Sequence, residues 1–466
     1  MRRRLLTVLA VVASILVVAP AAGAQRARFD TRVFARIPAP GFPAMAYVHP
    51  NGPVYVGTYV NPSGSSSRSR VFEYGADGTL IRSWTVPDQD LSKDHGVQVA
   101  TSDARGRLVL LDRTPARALL LDTARGTFRQ YAGFANLAPC PPLQARTDCS
   151  PTLEDREPMA NYAAWGPGGS LYVTDFLQGV VWRVPPGGGE AQVWLSDRRL
   201  DGGEFGTTGI ALAADRRTLL IGQGSSAGLG ALNPTTGKIY AVEIRPDGSP
   251  GDLRQLWESR PTDLPDGFAI ARSGKLYVPL AGTANQIAVV GPDGTELERF
   301  PNSSGDGDNG SEIPFDTPSS ARFLGTRLMV ANQSFTGDRD NQAVLDVEAG
   351  EPGLPEFIPG RDSDPPALSG VAVSRKRVRA GARRRVRVRF TVSERSKVSV
   401  RIERRVHRRW RDLNSVTRRR GPGQASMTFS ARSLRAGAHR VIVRAEDGAH
   451  NRSKRVKRRF RVTPNA

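Results

Sequence analysis

The chain has 466 residues and a formal net charge of +21, from 66 Lys and Arg against 45 Asp and Glu. That length allows two or three domains with sizeable cores, and beyond the N-terminus no stretch is long and apolar enough for a membrane-spanning helix. With 48 Gly and 34 Pro the chain is rich in turn formers, which favours an all-β architecture, and two cysteines are too few for a disulfide-dense scaffold.

The first 24 residues read as a signal peptide. Arg2, Arg3 and Arg4 give a positive start, Leu5 to Ala19 is an apolar run broken by Thr7 and Ser14, and Ala22-Gly23-Ala24 offers small residues for cleavage before Gln25. A permanent anchor is the alternative, but the run is short for a span. Arg2-Arg3 ahead of Leu5-Leu6 loosely resembles a twin-arginine signal, so the export route stays open. The next strand-like stretch, TRVFARI (Thr31 to Ile37), has no hairpin partner nearby.

From residue 44 a plan repeats. AMAYVHPNGPVYVGTY leads into RVFEYGADGTLIRSWTV, and GVQVATSDARGRLVLLD into RALLLDTARGTFRQYA. NYAAWGPGGSLYVTDF, TGIALAADRRTLLIGQ and GFAIARSGKLYVPLA open further copies, and SARFLGTRLMVANQ with AVLDV closes the series. Each turn carries the Gly or Asp that a hairpin needs. Six repeats of about fifty residues, each a four-strand meander, predict a six-bladed β-propeller over residues 30–350. The last copy has three evident strands, so Thr31–Ile37 is expected to complete it and tie the ring. Within the second copy, Cys140 and Cys149 lie close in sequence, with no histidine near them for a zinc site; exported cysteines so placed predict a local disulfide.

Residues 351–366 form a Pro- and Gly-rich linker. Beyond it the composition changes: from Arg361 onward there are 32 Lys and Arg against 7 Asp and Glu, and before it 34 against 38. RRVRVRFTV alternates strictly, with Val386, Val388, Phe390 and Val392 expected inward and Arg385, Arg387 and Arg389 outward. A small basic β-sandwich over residues 367–463 is predicted. LRAGAHRVIVRAEDGAHNRS resembles the late strands of bacterial immunoglobulin-like or fibronectin-type modules, with His439 where an aromatic is usual. No groove-reading helix or aromatic single-strand platform is apparent, so nucleic acid is an unlikely partner, and an anionic envelope polymer or membrane surface suits the charge better.

NYAAWGPGGSLYVTDFLQGVVWRVPPGG, TTGIALAADRRTLLIG, LPDGFAIARSGKLYV and DVEAGEPGLP resemble the senescence marker protein, gluconolactonase and luciferin-regenerating enzyme family of six-bladed propellers. Strictosidine synthase-like propellers share the architecture. The resemblance implies a divalent metal at the axis, held at the starts of innermost strands, and hydrolysis of sugar lactones. It places Asp266, in Pro-Asp-Gly, on a metal ligand that supports the base, and Asn161 on a substrate contact. It is partial: Ala44 stands where the family has Glu, and Thr208 where it has Asn.

One carboxylate with a hydroxyl and an amide is a poor set for calcium, which takes six or more oxygens. Glu157 and Glu204, each four residues before a candidate site position, are the acids able to complete it. With those hard oxygen donors, weak calcium-type affinity at Asp266 is expected. Equivalent positions elsewhere are assigned to His95, Asn161, Thr208 and Ser319, the candidate substrate-binding set. Gly224-Ser225-Ser226-Ala227-Gly228 matches a nucleophile pattern but no helical pattern follows it. NSSGDGDNGSE has calcium-loop composition with Asp306, Asp308 and Gly310 off the required offsets. Two functions compete: a metal-assisted lactone (ester) hydrolase, and a non-catalytic propeller that binds a small molecule or acts as a scaffold.

Overall fold

The computed structural model describes residues 26–60, 66–141, 147–226, 236–335, 337–361, 365–381, 385–447 and 452–464. The signal-like segment lies outside them. The described residues are all-β apart from helical turns of three residues, and none of them forms a helix long and apolar enough to cross a membrane.

Six consecutive antiparallel meanders of four strands account for the first part of the chain. Sheet 1 comprises Phe42–Val48, Val54–Val60, Arg70–Tyr74 and Leu80–Thr85, and sheet 2 His95–Ser102, Leu108–Asp112, Arg117–Asp122 and Thr127–Gly133. Sheet 3 comprises Ala160–Trp165, Leu171–Asp175, Val180–Val184 and Gln192–Ser196, and sheet 4 Thr207–Leu212, Thr218–Gln223, Thr236–Glu243 and Arg254–Pro261. Sheet 5 comprises Ala269–Ile270, Leu276–Leu280, Gln286–Val290 and Glu296–Phe300. Sheet 6 takes Pro318–Leu324, Arg327–Asn332 and Ala343–Glu348 and receives Thr31–Arg36 as its fourth strand, in register Thr31 with Val347 and Val33 with Leu345.

The hairpins are set by local chemistry. In Asp77-Gly78-Thr79, Asp247-Gly248-Ser249 and Asp293-Gly294-Thr295 the aspartate Oδ1 accepts the N–H two residues on, at 2.9–3.1 Å. The glycine between sits at φ of 83–88°, a conformation that side chains resist.

Each sheet packs on the next through an apolar core. Val97, Leu108 and Leu110 of sheet 2 meet Tyr47, Tyr55 and Val71 of sheet 1, and Trp182 of sheet 3 meets Leu111 and Leu120 of sheet 2. The series continues through sheets 3 to 6, and returns to its start: Phe34, Met329 and Val344 of sheet 6 pack on Ala46, Val56 and Phe72 of sheet 1. Burying each such large side chain contributes roughly 1.5–3 kcal/mol. The arrangement is propeller-like, with the first strands of the sheets facing one another.

Residues 351–361, whose composition predicts a linker, are docked onto these sheets. Leu354 N–H donates to Ile270 O at 2.8 Å and Arg272 N–H to Pro352 O at 2.9 Å. Glu356 accepts the Tyr47 hydroxyl at 2.8 Å and the Thr101 hydroxyl at 2.7 Å, and Ile358 is buried in the core between sheets 2 and 3. Proline and glycine mark the absence of regular structure, and here irregular backbone finds its partners at strand ends instead. Cys140 and Cys149 form a disulfide.

The basic part is a sandwich. A sheet of Leu368–Val373, Arg385–Val392 and Gly423–Ser430 faces a sheet of Arg377–Arg379, Ser396–Val406, Arg409–Arg420, Gly437–Glu446 and Val456–Thr463. Val386, Val388, Phe390 and Val392 are buried, with Val400, Ile402 and Val443 of the other sheet in the same core, while Arg385, Arg387 and Arg389 are exposed. His439 is fully buried against Phe460, with ring centroids 5.3 Å apart, and burial lowers its pKa, so it serves as a neutral aromatic.

Candidate functional site

Strand register identifies one equivalent position on each first strand. Ala160 pairs with Asp175, Val97 with Asp112, Thr207 with Gln223 and Pro318 with Asn332, and Pro265 bridges to Leu280. The next residues are therefore Asn161, Gln98, Thr208, Ser319 and Asp266; in sheet 1 Pro43 pairs with Thr58, which brings Ala44 to the same place.

These residues are linked around the facing strands. Gln98 Nε2 donates to Asn161 Oδ1 at 2.8 Å, and Asn161 Nδ2 to Thr207 O at 3.1 Å. Thr208 Oγ1 donates to Pro265 O at 3.1 Å, Gly267 N–H to Ser319 O at 2.7 Å, and Ser319 Oγ to Ala44 O at 3.3 Å. Among the described residues only the step from Ala44 to Gln98 lacks such a bond, and there sheets 1 and 2 pair directly, Tyr59 opposite Gly96. Gly96 is required: a Cβ there would overlap the Tyr59 ring.

Inside the ring, Tyr162 is buried to 1% exposure and its hydroxyl donates across to Ser319 O at 3.0 Å. Gly267 lies against its ring so closely that any side chain would clash. Met45 is buried in the same cluster. The axis is thus filled at its centre, and its two ends are separate environments.

At the end formed by the strand starts, three buried atoms have no hydrogen-bond partner: Asp266 Oδ1, Gln98 Oε1 and the Tyr59 hydroxyl. Removal from water is the main influence on Asp266 and raises its pKa to about 7, against which the Tyr162 hydroxyl and the Gly267 N–H act only partly. The Tyr59 hydroxyl lies close enough to Gln98 for each to act on the other, so it is Asp266 Oδ1 that is left over; buried polar atoms are nearly always satisfied, and such an atom marks a place that takes a water or a ligand. Phe42 stacks on Tyr59 at 6.0 Å, and Phe335, 55% exposed, packs edge-on against Phe42 at 5.4 Å.

Asp266, Asn161, Thr208 and Ser319 share this ring. His95 does not. It lies three residues before the ring position, buried, with both ring nitrogens on backbone carbonyls, those of Lys93 at 2.9 Å and Ser67 at 2.7 Å. The residue in its assigned place is Gln98, which was legible by aligning the strand ends LVLLD and LYVTD rather than the strand starts. Glu157 and Glu204 also stand elsewhere: Glu157, 66% exposed, pairs with Lys93 at 2.6 Å, and Glu204, 75% exposed, with Arg156 at 3.0 Å.

A divalent metal does not fit this donor set. Asp266 is the one carboxylate, and among the described residues no three of His, Cys, Asp and Glu come together in a way that could hold a metal ion. Two amide or hydroxyl oxygens beside one carboxylate fall well short of the charge and ligand number that calcium takes. The weak calcium affinity expected from sequence is therefore not supported by the geometry.

Other acids are structural pins. Asp175 accepts Met159, Leu177 and Gln178 N–H and Trp182 Nε1, and buried Asp112 accepts Gln89 and Arg117. In the loop around Asp306, that residue and Asp308 cap their own turns. Ser225 is buried and bonded through its backbone to Phe205 O at 2.8 Å; Ala227 and Gly228 of the nucleophile pattern lie outside the described residues.

No family model matches the sequence, and no curated protein matches it. Among solved structures the chain is similar to a luciferin-regenerating enzyme, with 13% identity, 68% of this chain and 94% of that chain covered, and a TM-score of 0.42. It is similar also to a candidate 6-phosphogluconolactonase from Bacteroides fragilis, at 10% identity, 80% and 97% coverage and a TM-score of 0.36. A third is the extracellular domain of a candidate hybrid two-component system from B. thetaiotaomicron, at 13% identity, 91% and 57% coverage and a TM-score of 0.37. At these identities and scores, nothing about ligand or chemistry transfers from them.

Proposed function

We propose that residues 30–350 are a closed six-bladed propeller that binds a small polar ligand at its Asp266 end without a metal, as a binding protein rather than a metal-dependent hydrolase. Closure is supported by the cycle of inter-sheet cores and by the N-terminal strand in sheet 6. The ligand reading rests on one observation, the buried and unpartnered Oδ1 of Asp266 beside Gln98 Oε1 and the Tyr59 hydroxyl. Unsatisfied acceptors call for donors, so the ligand carries hydroxyl or ammonium groups; a sugar or sugar lactone is such a molecule. Aromatic Phe42, Tyr59 and Phe335 suit the apolar face of a sugar ring.

A second reading has its own support. A carboxyl with a pKa of about 7 has the proton affinity of a general base at neutral pH, which metal-free hydrolysis of a lactone (ester) would use. Titrating the full chain with a panel of sugar lactones and the matching sugars, followed by both calorimetry and hydrolysis, separates the two. Saturable binding without turnover, lost in Asp266→Asn, is the expected result. Turnover lost in that variant establishes the second reading, and no binding overturns both.

The protein is exported on this proposal, supported by the signal-like residues 1–24 and by a disulfide that oxidising compartments permit. The basic sandwich, residues 367–463, then holds the propeller to an anionic envelope polymer or lipid surface. Its binding to such a polymer should fall steeply with salt, since surface charges are screened over about 8 Å at physiological ionic strength. Salt-independent binding would contradict this.

A further inference from the structure

The opposite end of the axis, beyond Tyr162, holds a cavity of about 410 Å³ between the ends of the first strands and the docked segment that follows sheet 6. Its apolar wall includes Trp165, Ile210, Phe268, Phe323 and Leu354. Three arginines, Arg272, Arg322 and Arg361, line it with a single carboxylate, Glu356.

Glu356 feels the charges of Arg322 and Arg361, but no direct ion pair joins them among the described residues. Glu356 is taken by the hydroxyls of Tyr47 and Thr101. Arg322 commits one nitrogen, Nη1, to Phe268 O at 2.9 Å and Ala321 O at 3.0 Å, which fixes the guanidinium on the cavity wall. Arg361 Nη2 donates to Asn51 Oδ1 at 3.1 Å, and Arg272 Nε to Gly353 O at 3.4 Å. None of the three makes an ion pair among the described residues, although most other arginines of the propeller do.

Guanidinium groups held on backbone and amide oxygens keep their remaining donors free. In a concave, largely apolar site they favour an anion with planar or tetrahedral oxygens, because bidentate charge-assisted bonds form there with little competition from water. The volume matches a small-molecule pocket, where apolar walls supply area and a few polar groups set orientation.

We propose that this cavity binds a small organic oxyanion, with its carboxylate or phosphate head on Arg322 and Arg361 and an aromatic or aliphatic body against Phe268 and Trp165. The site is independent of the Asp266 end, from which Tyr162 separates it. Because its wall is the segment leading into the basic sandwich, the ligand would contact both the strand ends and that connection.

The test is calorimetric titration of the full chain with benzoate, phenyl phosphate and neutral benzyl alcohol. At least one anion should bind about ten-fold or more tightly than benzyl alcohol, and the tighter of the two identifies the head group. Arg322→Gln should weaken that anion about ten-fold, the loss of one charge-assisted contact. Arg361 lies on the partly exposed segment, so Arg361→Gln gives the same readout should Arg322→Gln fail to fold. The basic sandwich is unchanged in both variants, so any loss belongs to the cavity. Equal binding of all three probes, or anion affinity unchanged in the variants, would overturn the proposal.

Discussion

The two ends of the facing first strands differ in kind although the same strands build both. At the strand starts, polar side chains satisfy one another around a ring and leave Asp266 Oδ1 buried without a hydrogen-bond partner among the described residues. At the strand ends, aromatic and aliphatic walls enclose a cavity lined by arginines without ion pairs among the described residues. One end is tight and centred on a buried carboxyl; the other is positive, open and rich in donors. The difference comes from what covers each end, the aromatic pair Phe42 and Phe335 at the first and the docked 352–357 segment at the second. A single strand can thus serve two environments, with Tyr162 as the partition.

Breaking the partition has the largest expected effect. Tyr162→Ala removes a fully buried ring and its bond to Ser319, and should cost about 3–5 kcal/mol in denaturant unfolding. A loss below about 1 kcal/mol would mean that Tyr162 does not fill the axis.

Asp266→Asn sharpens the contrast between the ends through pH. The folded pKa of about 7 lies above the unfolded value of about 4, so the folded state holds the proton more tightly. That contribution to stability is complete below about pH 4 and is lost as pH rises from there through about 7, at roughly 1.4 kcal/mol for each pH unit crossed. The parent should therefore lose up to a few kcal/mol between pH 4 and 8 that the variant, neutral throughout, retains. Melting at both pH values checks this; parallel curves would place the carboxylate in water.

At the other end, Tyr47→Phe removes one of the two donors to Glu356 and should cost about 1.5–3 kcal/mol, with faster proteolysis of the 352–361 segment. The smallest effects belong to Glu157→Gln and Glu204→Gln. Both ion pairs are exposed and worth about 0–1 kcal/mol, and ligand binding at the Asp266 end should be unchanged.

The all-β class, the six meanders and the outward Arg385, Arg387 and Arg389 were legible because hairpin turns and period-two alternation are local signals. Asp266 was legible from its place before a strand. The rest depended on register: His95 and Gln98 lie three residues apart on one strand, and only pairing with Asp112 decides which faces the ring. Glu157 and Glu204 were read by loop position, but side-chain direction follows from partners, Lys93 and Arg156, that are distant in sequence. The cavity at the far end was not legible at all. It forms where residues 352–357 cross strand ends of several sheets, a contact with no periodic trace.

Whether the Asp266 end works without a metal is decided most directly by calorimetric titration of the full chain with calcium, in parent and Asp266→Asn. The account predicts no saturable calcium binding at that end tighter than about millimolar, the range of weak sites with few charged ligands, and no difference between the two proteins. Micromolar binding in the parent that Asp266→Asn abolishes would contradict it.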